Sequence, residues 1–206
     1  MASFGAKNPY FRKIKKEPEG KLPVYEDNPV KIGRLVKADV TLQMASGKLY
    51  ADDELAESVD EFVSGSLAME TDDMLDDVAS EVYGVQVEGK QVRYNIQDDP
   101  PPGGLAYYKK LMRRRRVLYK GIYFPLVKAS LGSDTANTKT DSITFGTTNT
   151  TFIIFPCNSG DWRFTEEFDT EAEAIAWVKA FTPASADANT GGGTGGTELR
   201  HASSKI

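Results

Sequence analysis

Short segments in which apolar and polar residues alternate, separated by turn residues, dominate this chain. In residues 30–44 the side chains at 38, 40 and 42 are apolar, and those at 37, 39 and 41 are polar. A period of two is typical of a strand buried on one face. Similar segments follow at 58–71, 85–97, 105–112, 117–129, 141–149, 150–157 and 161–168. About eight strands at this spacing predict a mainly β (α+β) protein, built as a β-sandwich or an open barrel.

Two segments depart from this pattern and predict short amphipathic α-helices flanking the sheet. In TDDMLDDVASEVYG, Thr71 or Asp72 is placed to cap the helix and Gly84 to end it. Near the end of the chain, Thr170 and Glu173 form a capping-box sequence. The apolar positions with helical spacing are Met74, Leu75, Val78 and Val82 in the first segment, and Ala174, Trp177, Val178 and Phe181 in the second.

Length and composition fit one domain with a tail at each end. A chain of 206 residues that is 40% hydrophobic can bury one core of ordinary size. We expect a solvated N-terminal arm over residues 1–20, a domain over 21–182, and a flexible glycine-rich tail over 183–206. No stretch approaches the roughly eighteen apolar residues of a membrane span, and the single cysteine cannot form an intramolecular disulfide. We therefore expect a soluble protein of a reducing compartment.

The charges are divided along the chain. Residues 48–88 hold thirteen carboxylates and one cation, Lys48, whereas residues 101–131 hold eight cations and no carboxylate. Oppositely charged segments of this size suggest either an internal complement or copies of the chain that meet head to tail.

Residues that could carry catalysis are scarce. The only histidine, His201, lies in the expected tail, so the core could not hold a catalytic triad. One cysteine excludes thiolate zinc sites, and the acidic segment at 71–81 lacks the glycine and terminal glutamate of a calcium loop. We expect no enzymatic activity, no cofactor and no metal site, although the many carboxylates leave hydrolysis by an acid pair open.

Four consecutive arginines, Arg113, Arg114, Arg115 and Arg116, separate two strand-like segments. They could bind nucleic acid through several phosphate contacts, with the tyrosines at 107, 108, 119 and 123 stacking on bases. Alternatively, they form the solvated tip of a hairpin. The pattern favours the hairpin, because aromatic residues are common in strands and the numerous carboxylates elsewhere oppose nucleic acid.

Five motifs in order resemble the major tail proteins of long-tailed, non-contractile bacteriophages. They are KLYADDELAES at 48–58, the acidic helix ending at Gly84, DDPPPGG at 98–104, TKTDSITFGT at 138–147 and FDTEAEAIAWV at 168–178. The resemblance covers about residues 20–181. It implies a tail-tube-like β-sandwich or open barrel that forms hexameric rings, stacked through a long loop around residues 43–66 into a tube that conducts DNA during ejection.

The resemblance also implies partners and a location. The partners would be further copies of the chain, the tape measure protein, the tail terminator and the distal tail proteins. Double-stranded DNA would pass through the lumen without specific binding, and no membrane would be involved. The protein would be assembled in the cytoplasm of the bacterial host and reside in the virion tail.

Contacts between rings would, by the same resemblance, lie near the start of the long loop. The matching residues are Leu49, Tyr50, Asp52, Asp53, Glu54 and Glu57. The arginine run departs from the family, which more often has glycine or asparagine there. Because DNA in transit must not be retained, we expect Arg113–Arg116 away from the channel, at a subunit or ring contact, with the acidic stretch 52–61 as partner.

Two functions of other classes remain open. One is a nucleic-acid-binding β-domain that uses the arginine hairpin, which predicts salt-dependent DNA affinity. The other is a carbohydrate-binding or hydrolytic sandwich module, which predicts a monomer that binds sugars.

Overall fold

Eleven β-strands and two α-helices make up the computed structural model, which describes residues 2–51, 54–89, 91–130 and 146–181. The strands are β1 Ala2–Lys16, β2 Val24–Tyr25, β3 Val30–Lys31, β4 Leu35–Ala51, β5 Glu54–Thr71, β6 Gln86–Glu88, β7 Gln91–Arg93, β8 Pro102–Arg113, β9 Arg116–Ser130, β10 Thr148–Phe155 and β11 Phe164–Phe168. The helices are α1 Asp76–Tyr83 and α2 Glu171–Ala180. The prediction of a mainly β protein with two short helices is confirmed.

One antiparallel sheet forms most of the fold. Its strands follow the order β2-β1-β8-β9-β10-β5-β4, with β3 also paired to β1 and β11 to β9, while β6 and β7 form a separate hairpin. The sheet curls until β1, which lies next to the short terminal strand β2, touches β4 at the other end of the sheet. Along the described residues no ladder joins these two strands, so residues 3–6 of β1 and 36–38 of β4 border an open seam. The fold is therefore an open barrel.

The main core lies inside this barrel, and α1 closes one of its ends. Inward side chains of β5, β8, β9 and β10 pack with the apolar face of α1. Val82 of α1 is fully buried. The hydroxyl group of Tyr83 lies 2.5 Å from that of Thr150, the first inward-facing residue of β10. We call this the α1 end of the barrel.

A second core covers the outer face of β8 and β9. Ala174, Trp177 and Val178 of α2 pack on Ala106, Tyr108 and Tyr123. Because both faces of β8 are covered, residues 103–108 are all buried and the strand does not alternate. Gly121 of β9 allows the close approach of α2, since a Cβ atom there would lie 2.5 Å from the Trp177 ring.

The two helices test the capping predictions differently. The capping box of α2 is present, with the Thr170 hydroxyl accepting from the Glu173 backbone N–H and the Glu173 carboxylate accepting from the Thr170 N–H. Gly84 ends α1 in the left-handed region, as predicted. Neither Thr71 nor Asp72 caps α1, because Thr71 ends β5 and Asp72 accepts hydrogen bonds from Arg34.

The expected solvated arm at the N-terminus is wrong for residues 2–16. They form β1, which pairs with β8 from Ala2↔Met112 to Lys13↔Gly103 and buries Phe11 completely. Left-handed residues at Gly5 and Asn8 mark two shifts of register that interrupt the period of two in the sequence.

Three further segments can be placed. The proline-rich motif DDPPPGG leads into β8, a central strand that begins at Pro102, because the first position of a strand tolerates proline. The long loop expected around 43–66 is a hairpin whose strands, β4 and β5, stay paired, with shifts of register after Gln43 and after Leu49. The tail at 183–206 and the segment 141–145 lie outside the described residues.

Candidate assembly surfaces

The β4–β5 hairpin extends well beyond the barrel. Strand β10 last pairs with β5 at Ile154↔Gly65, but β4 and β5 remain paired with each other as far as Ala51↔Glu54. Residues 41–48 and 58–61 are all exposed, so neither face of this part of the hairpin is covered. We call residues 43–51 and 54–64 the β4–β5 ribbon.

The ribbon is anchored at its base and apolar along part of its length. The Phe62 ring stacks on Trp162, with centroids 4.4 Å apart and planes inclined by 14°. A register shift after Gln43 marks a β-bulge at the same level, which bends the strands. Exposed apolar side chains follow on and beside the ribbon: Leu42, Met44, Val59 and Val63. A fixed ribbon with unpaired edges and exposed apolar groups is suited to contact another chain.

Most of the contact residues implied by the resemblance lie at the far end of the ribbon. The strand register places Leu49 opposite Glu57, Tyr50 opposite Leu55 and Ala51 opposite Glu54. Asp52 and Asp53 lie outside the described residues. The assignment of these residues to a ring contact stays a prediction.

The arginine run is the turn of the β8–β9 hairpin, as the sequence predicts. Arg113 pairs with Arg116, and the two residues between them have left-handed φ angles of 49° at Arg114 and 66° at Arg115. A two-residue loop with two such residues is a type I′ turn, which usually carries Asn-Gly. Non-glycine residues cost roughly 1–2 kcal/mol each in this conformation.

The four arginines have different surroundings. The Arg113 guanidinium lies 3.4 Å from the Glu167 carboxylate, and that of Arg116 lies 3.2 Å from Asp169. Arg114 and Arg115 are exposed, and neither has a carboxylate within ion-pair distance in the part of the chain that the structure describes. The outer two arginines thus help hold the hairpin, while the inner two project from it.

Further cations line the same hairpin below its tip. Lys109 and Lys120 occupy directly opposite positions on β8 and β9, an arrangement of like charges that is normally destabilising. Together with Arg163 they border an open depression of about 310 Å³ whose floor includes Leu111 and Ile122. Glu167, 3.9 Å from Lys120, offsets part of this charge. We call residues 109–120 the basic hairpin.

The α1 end carries the opposite charge. Asp73, Asp76 and Asp77 are exposed at the start of α1, and the nearby Leu75 side chain is 67% exposed. Three ion pairs of the described residues at this end engage other carboxylates: Arg34 with Asp72 at 2.6 Å, Lys13 with Glu81 at 2.9 Å and Lys128 with Asp99 at 2.5 Å. Among the described residues no cation pairs with Asp73, Asp76 or Asp77. We call Asp73, Leu75, Asp76 and Asp77 the acidic pole.

Strand directions place these surfaces relative to one another. Because β9 and β5 are both antiparallel to β10, they run in the same direction. The ribbon precedes the barrel part of β5, and the arginine turn precedes β9, so both project at the end opposite α1. The structure therefore brings the acidic ribbon and the basic hairpin to one end of the barrel and the acidic pole to the other.

Most tyrosines near the arginines are not available to nucleic acid. Tyr107, Tyr108 and Tyr123 are at most 4% exposed, and burial raises the pKa of Tyr107 to about 12. The Tyr108 hydroxyl donates a hydrogen bond of 2.6 Å to Glu171, whose pKa is lowered chiefly by this bond. Tyr119 is half-buried, with the Lys110 amine 5.6 Å from its ring centroid. These rings serve the core rather than a stacking surface.

Neither a cluster of metal-binding side chains nor a membrane-spanning helix is found among the described residues. Across residues 2–51, 54–89, 91–130 and 146–181, no group of three or more His, Cys, Asp and Glu side chains could hold a metal ion. No helix in these ranges is long and apolar enough to cross a membrane. No protein-family model matches the chain, and no curated protein matches it.

Proposed function

We propose that this chain is a structural protein whose copies form hexameric rings that stack into a tube, as in the tails of long-tailed, non-contractile bacteriophages. The observation that carries the proposal is the β4–β5 ribbon. It projects from a fixed base, exposes apolar side chains and leaves its strand edges unpaired within the described chain. A monomer would expose this ribbon to uncontrolled strand pairing, whereas an assembly would cover it.

The two ends of the barrel support an open-ended assembly. One end presents the ribbon and the basic hairpin, and the other presents the acidic pole. Contacts between unlike surfaces are heterologous, and they generate rings or filaments according to whether the rotation closes. A tube made of stacked rings needs both kinds of contact: a closed ring around the axis and an open-ended filament along it.

The remaining parts of the proposal follow from the family resemblance. The tube would conduct double-stranded DNA without specific binding, and it would meet the tape measure, tail terminator and distal tail proteins. The protein would reside in the virion tail after assembly in the host cytoplasm. It would act as a conduit and scaffold rather than as an enzyme, with no cofactor.

A second function, nucleic-acid binding, is favoured by one observation. The basic hairpin and Arg163 gather several exposed or half-exposed cations around one depression. In basic grooves that bind single-stranded nucleic acid, aromatic side chains usually stack on the bases. Here Tyr107, Tyr108 and Tyr123 are buried and cannot do so. The basic hairpin therefore supports phosphate contact more than base stacking.

Negative-stain electron microscopy and sedimentation velocity of the purified chain test the proposal. We expect rings or tubes of uniform width. In a matched variant, residues 44–63 are replaced by Asn-Gly, so that Gln43 and Ser64 flank a two-residue turn. This variant loses Phe62, which packs on the edge of the main core, but keeps every buried residue of that core, so it should still unfold cooperatively. It should form no tubes.

A deletion of similar size, removing residues 184–206, provides the control and should leave assembly intact. A wild-type chain that stays monomeric at high concentration, even with tail-initiating partners, contradicts the proposal. So does normal assembly without the ribbon. Monomers whose affinity for DNA falls with salt and disappears in Arg114→Glu/Arg115→Glu establish the second function instead.

A further inference from the structure

We propose that the tip of the basic hairpin in one copy docks on the acidic pole of the next copy along the tube. The occupant of the acidic pole is thus Arg114 and Arg115 of a second copy of this chain. The inference rests on the proposed function, and it specifies which surfaces meet between successive rings. It also names a different partner for the arginines from the stretch 52–61 indicated by the sequence.

The first argument is the separation of charge. Strand β9 has 15 residues between the arginine turn and the end near α1, a distance of roughly 45–50 Å at about 3.3 Å per residue. The screening length at physiological salt is about 8 Å. The basic tip and the acidic pole of one molecule therefore cannot neutralise each other. Head-to-tail stacking brings the tip of one copy to the pole of another.

The second argument is the construction of the tip. Asn-Gly would form this type I′ turn with less strain than Arg114 and Arg115. The two arginines are exposed and have no ion-pair partner among the residues described, whereas Arg113 and Arg116 are held by Glu167 and Asp169. Non-glycine residues held in a strained conformation are expected where their side chains act on another molecule.

The third argument is that both surfaces include exposed apolar side chains. Met112 and Val117 face each other across the hairpin directly below the turn and are 47% and 41% exposed. At the α1 end, Leu75 is 67% exposed and Ile96 is fully exposed. Exposed apolar groups beside complementary charges are typical of surfaces that associate, since charge steers the encounter and apolar burial retains it.

The position of the ribbon excludes its acidic residues as the axial partner. Asp60 and Glu61 project from the same end of the barrel as Arg114 and Arg115, because β5 and β9 run in the same direction. In a head-to-tail stack, surfaces on the same end face the same way and do not meet between rings. The acidic pole lies on the end that does meet them.

Charge-reversed chains, mixed in pairs, test the docking directly. Arg114→Glu/Arg115→Glu alone and Asp76→Lys/Asp77→Lys alone should each weaken ring-to-ring association at least about tenfold, because two attractive pairs become repulsive. An equimolar mixture of the two variants should form tubes, since each altered surface then finds its complement. A mixture of the arginine variant with Asp60→Lys/Glu61→Lys should not.

A turn-optimised variant separates docking from folding. Arg114→Asn/Arg115→Gly should raise the unfolding temperature of the monomer and yet weaken tube formation. If the arginines served only the turn, assembly would be unchanged. Lys15→Glu/Lys16→Glu, which alters the net charge as much as the arginine reversal does, is the control and should assemble normally.

The outcomes distinguish this inference from the proposed function. A wild-type chain that never assembles overturns both. Wild-type tubes together with no selective rescue in the mixture overturn the docking alone, as does rescue by the Asp60 and Glu61 reversals. Should Asp76→Lys/Asp77→Lys fail to fold, Asp76→Asn/Asp77→Asn replaces it. That variant should reduce the salt dependence of tube formation, and an unchanged salt dependence overturns the docking.

Discussion

Replacing Phe11 by alanine should destabilise the protein severely, because β1 is part of the barrel. The Phe11 side chain is 0% exposed and packs over Gly103 of β8. The centroid of its ring lies 6.2 Å from that of Phe152. Burial of a phenylalanine contributes about 1.5–3 kcal/mol, and the cavity left by truncation adds to the loss. The free energy of unfolding should fall by about 3–5 kcal/mol in total. For a domain of this size, the midpoint of thermal unfolding should fall by roughly 6–20 °C.

Phe4→Ala provides a matched control within the same strand. Its side chain is 47% exposed, so the same truncation should cost less than about 1 kcal/mol. Urea unfolding followed by the fluorescence of Trp162 and Trp177 would measure both variants, at a concentration where sedimentation shows monomers. Equal, small losses for the two variants would contradict the placement of β1 in the core and restore the idea of a solvated arm.

Two further predictions concern the packing and charge of α2. Gly121→Ala should lower the free energy of unfolding by about 1–3 kcal/mol, because its Cβ would lie 2.5 Å from the Trp177 ring. Gly47→Ala is the control and should cause no such loss, because a Cβ there would have no atom within 4 Å. A loss of stability at both positions would contradict the packing argument. The hydrogen bond from Tyr108, together with the charges of Lys110 and Lys7, holds the pKa of Glu171 below its ordinary value of 4.5. The stabilisation that ionised Glu171 provides is therefore present above pH 4.5 and is lost as the pH falls through the folded-state pKa. The difference in free energy of unfolding between wild type and Glu171→Gln should accordingly shrink below pH 4.5. It should stay constant if the bond is absent.

Features set by neighbouring residues were predictable from the sequence. The capping box of α2 depends on Thr170 and Glu173, three residues apart, and the turn at Gly84 on one residue. The arginine turn was predictable for a similar reason, because two strand-like segments flank it closely. In each case the signal and the structure lie within one short window of the chain.

Features set by distant pairing were not predictable. β1 was missed because bulges at Gly5 and Asn8 break its alternation, and because its partner β8 lies about a hundred residues away in the sequence. The long loop at 43–66 was expected from the family resemblance, although the sequence pattern already indicated a strand at 58–71. Residues 44–48 and 58–61 are all exposed, so this part of the hairpin lacks the one-sided burial that makes a strand recognisable. The direction in which each hairpin projects depends on the order of the whole sheet.

The arginine turn shows how local preference and assembly can favour different residues at the same positions. Intrinsic preference favours Asn-Gly at 114 and 115, and a sequence chosen for the stability of the monomer alone would have these residues. A chain that instead places two exposed guanidinium groups at this tip, without an ion-pair partner among the described residues, accepts a less stable hairpin. The loss is offset only if the arginines gain a partner after folding, and the complementary charge on the far end of the barrel is where a second copy would supply it. The sequence displays both charges, but only the strand directions reveal that they lie at opposite ends.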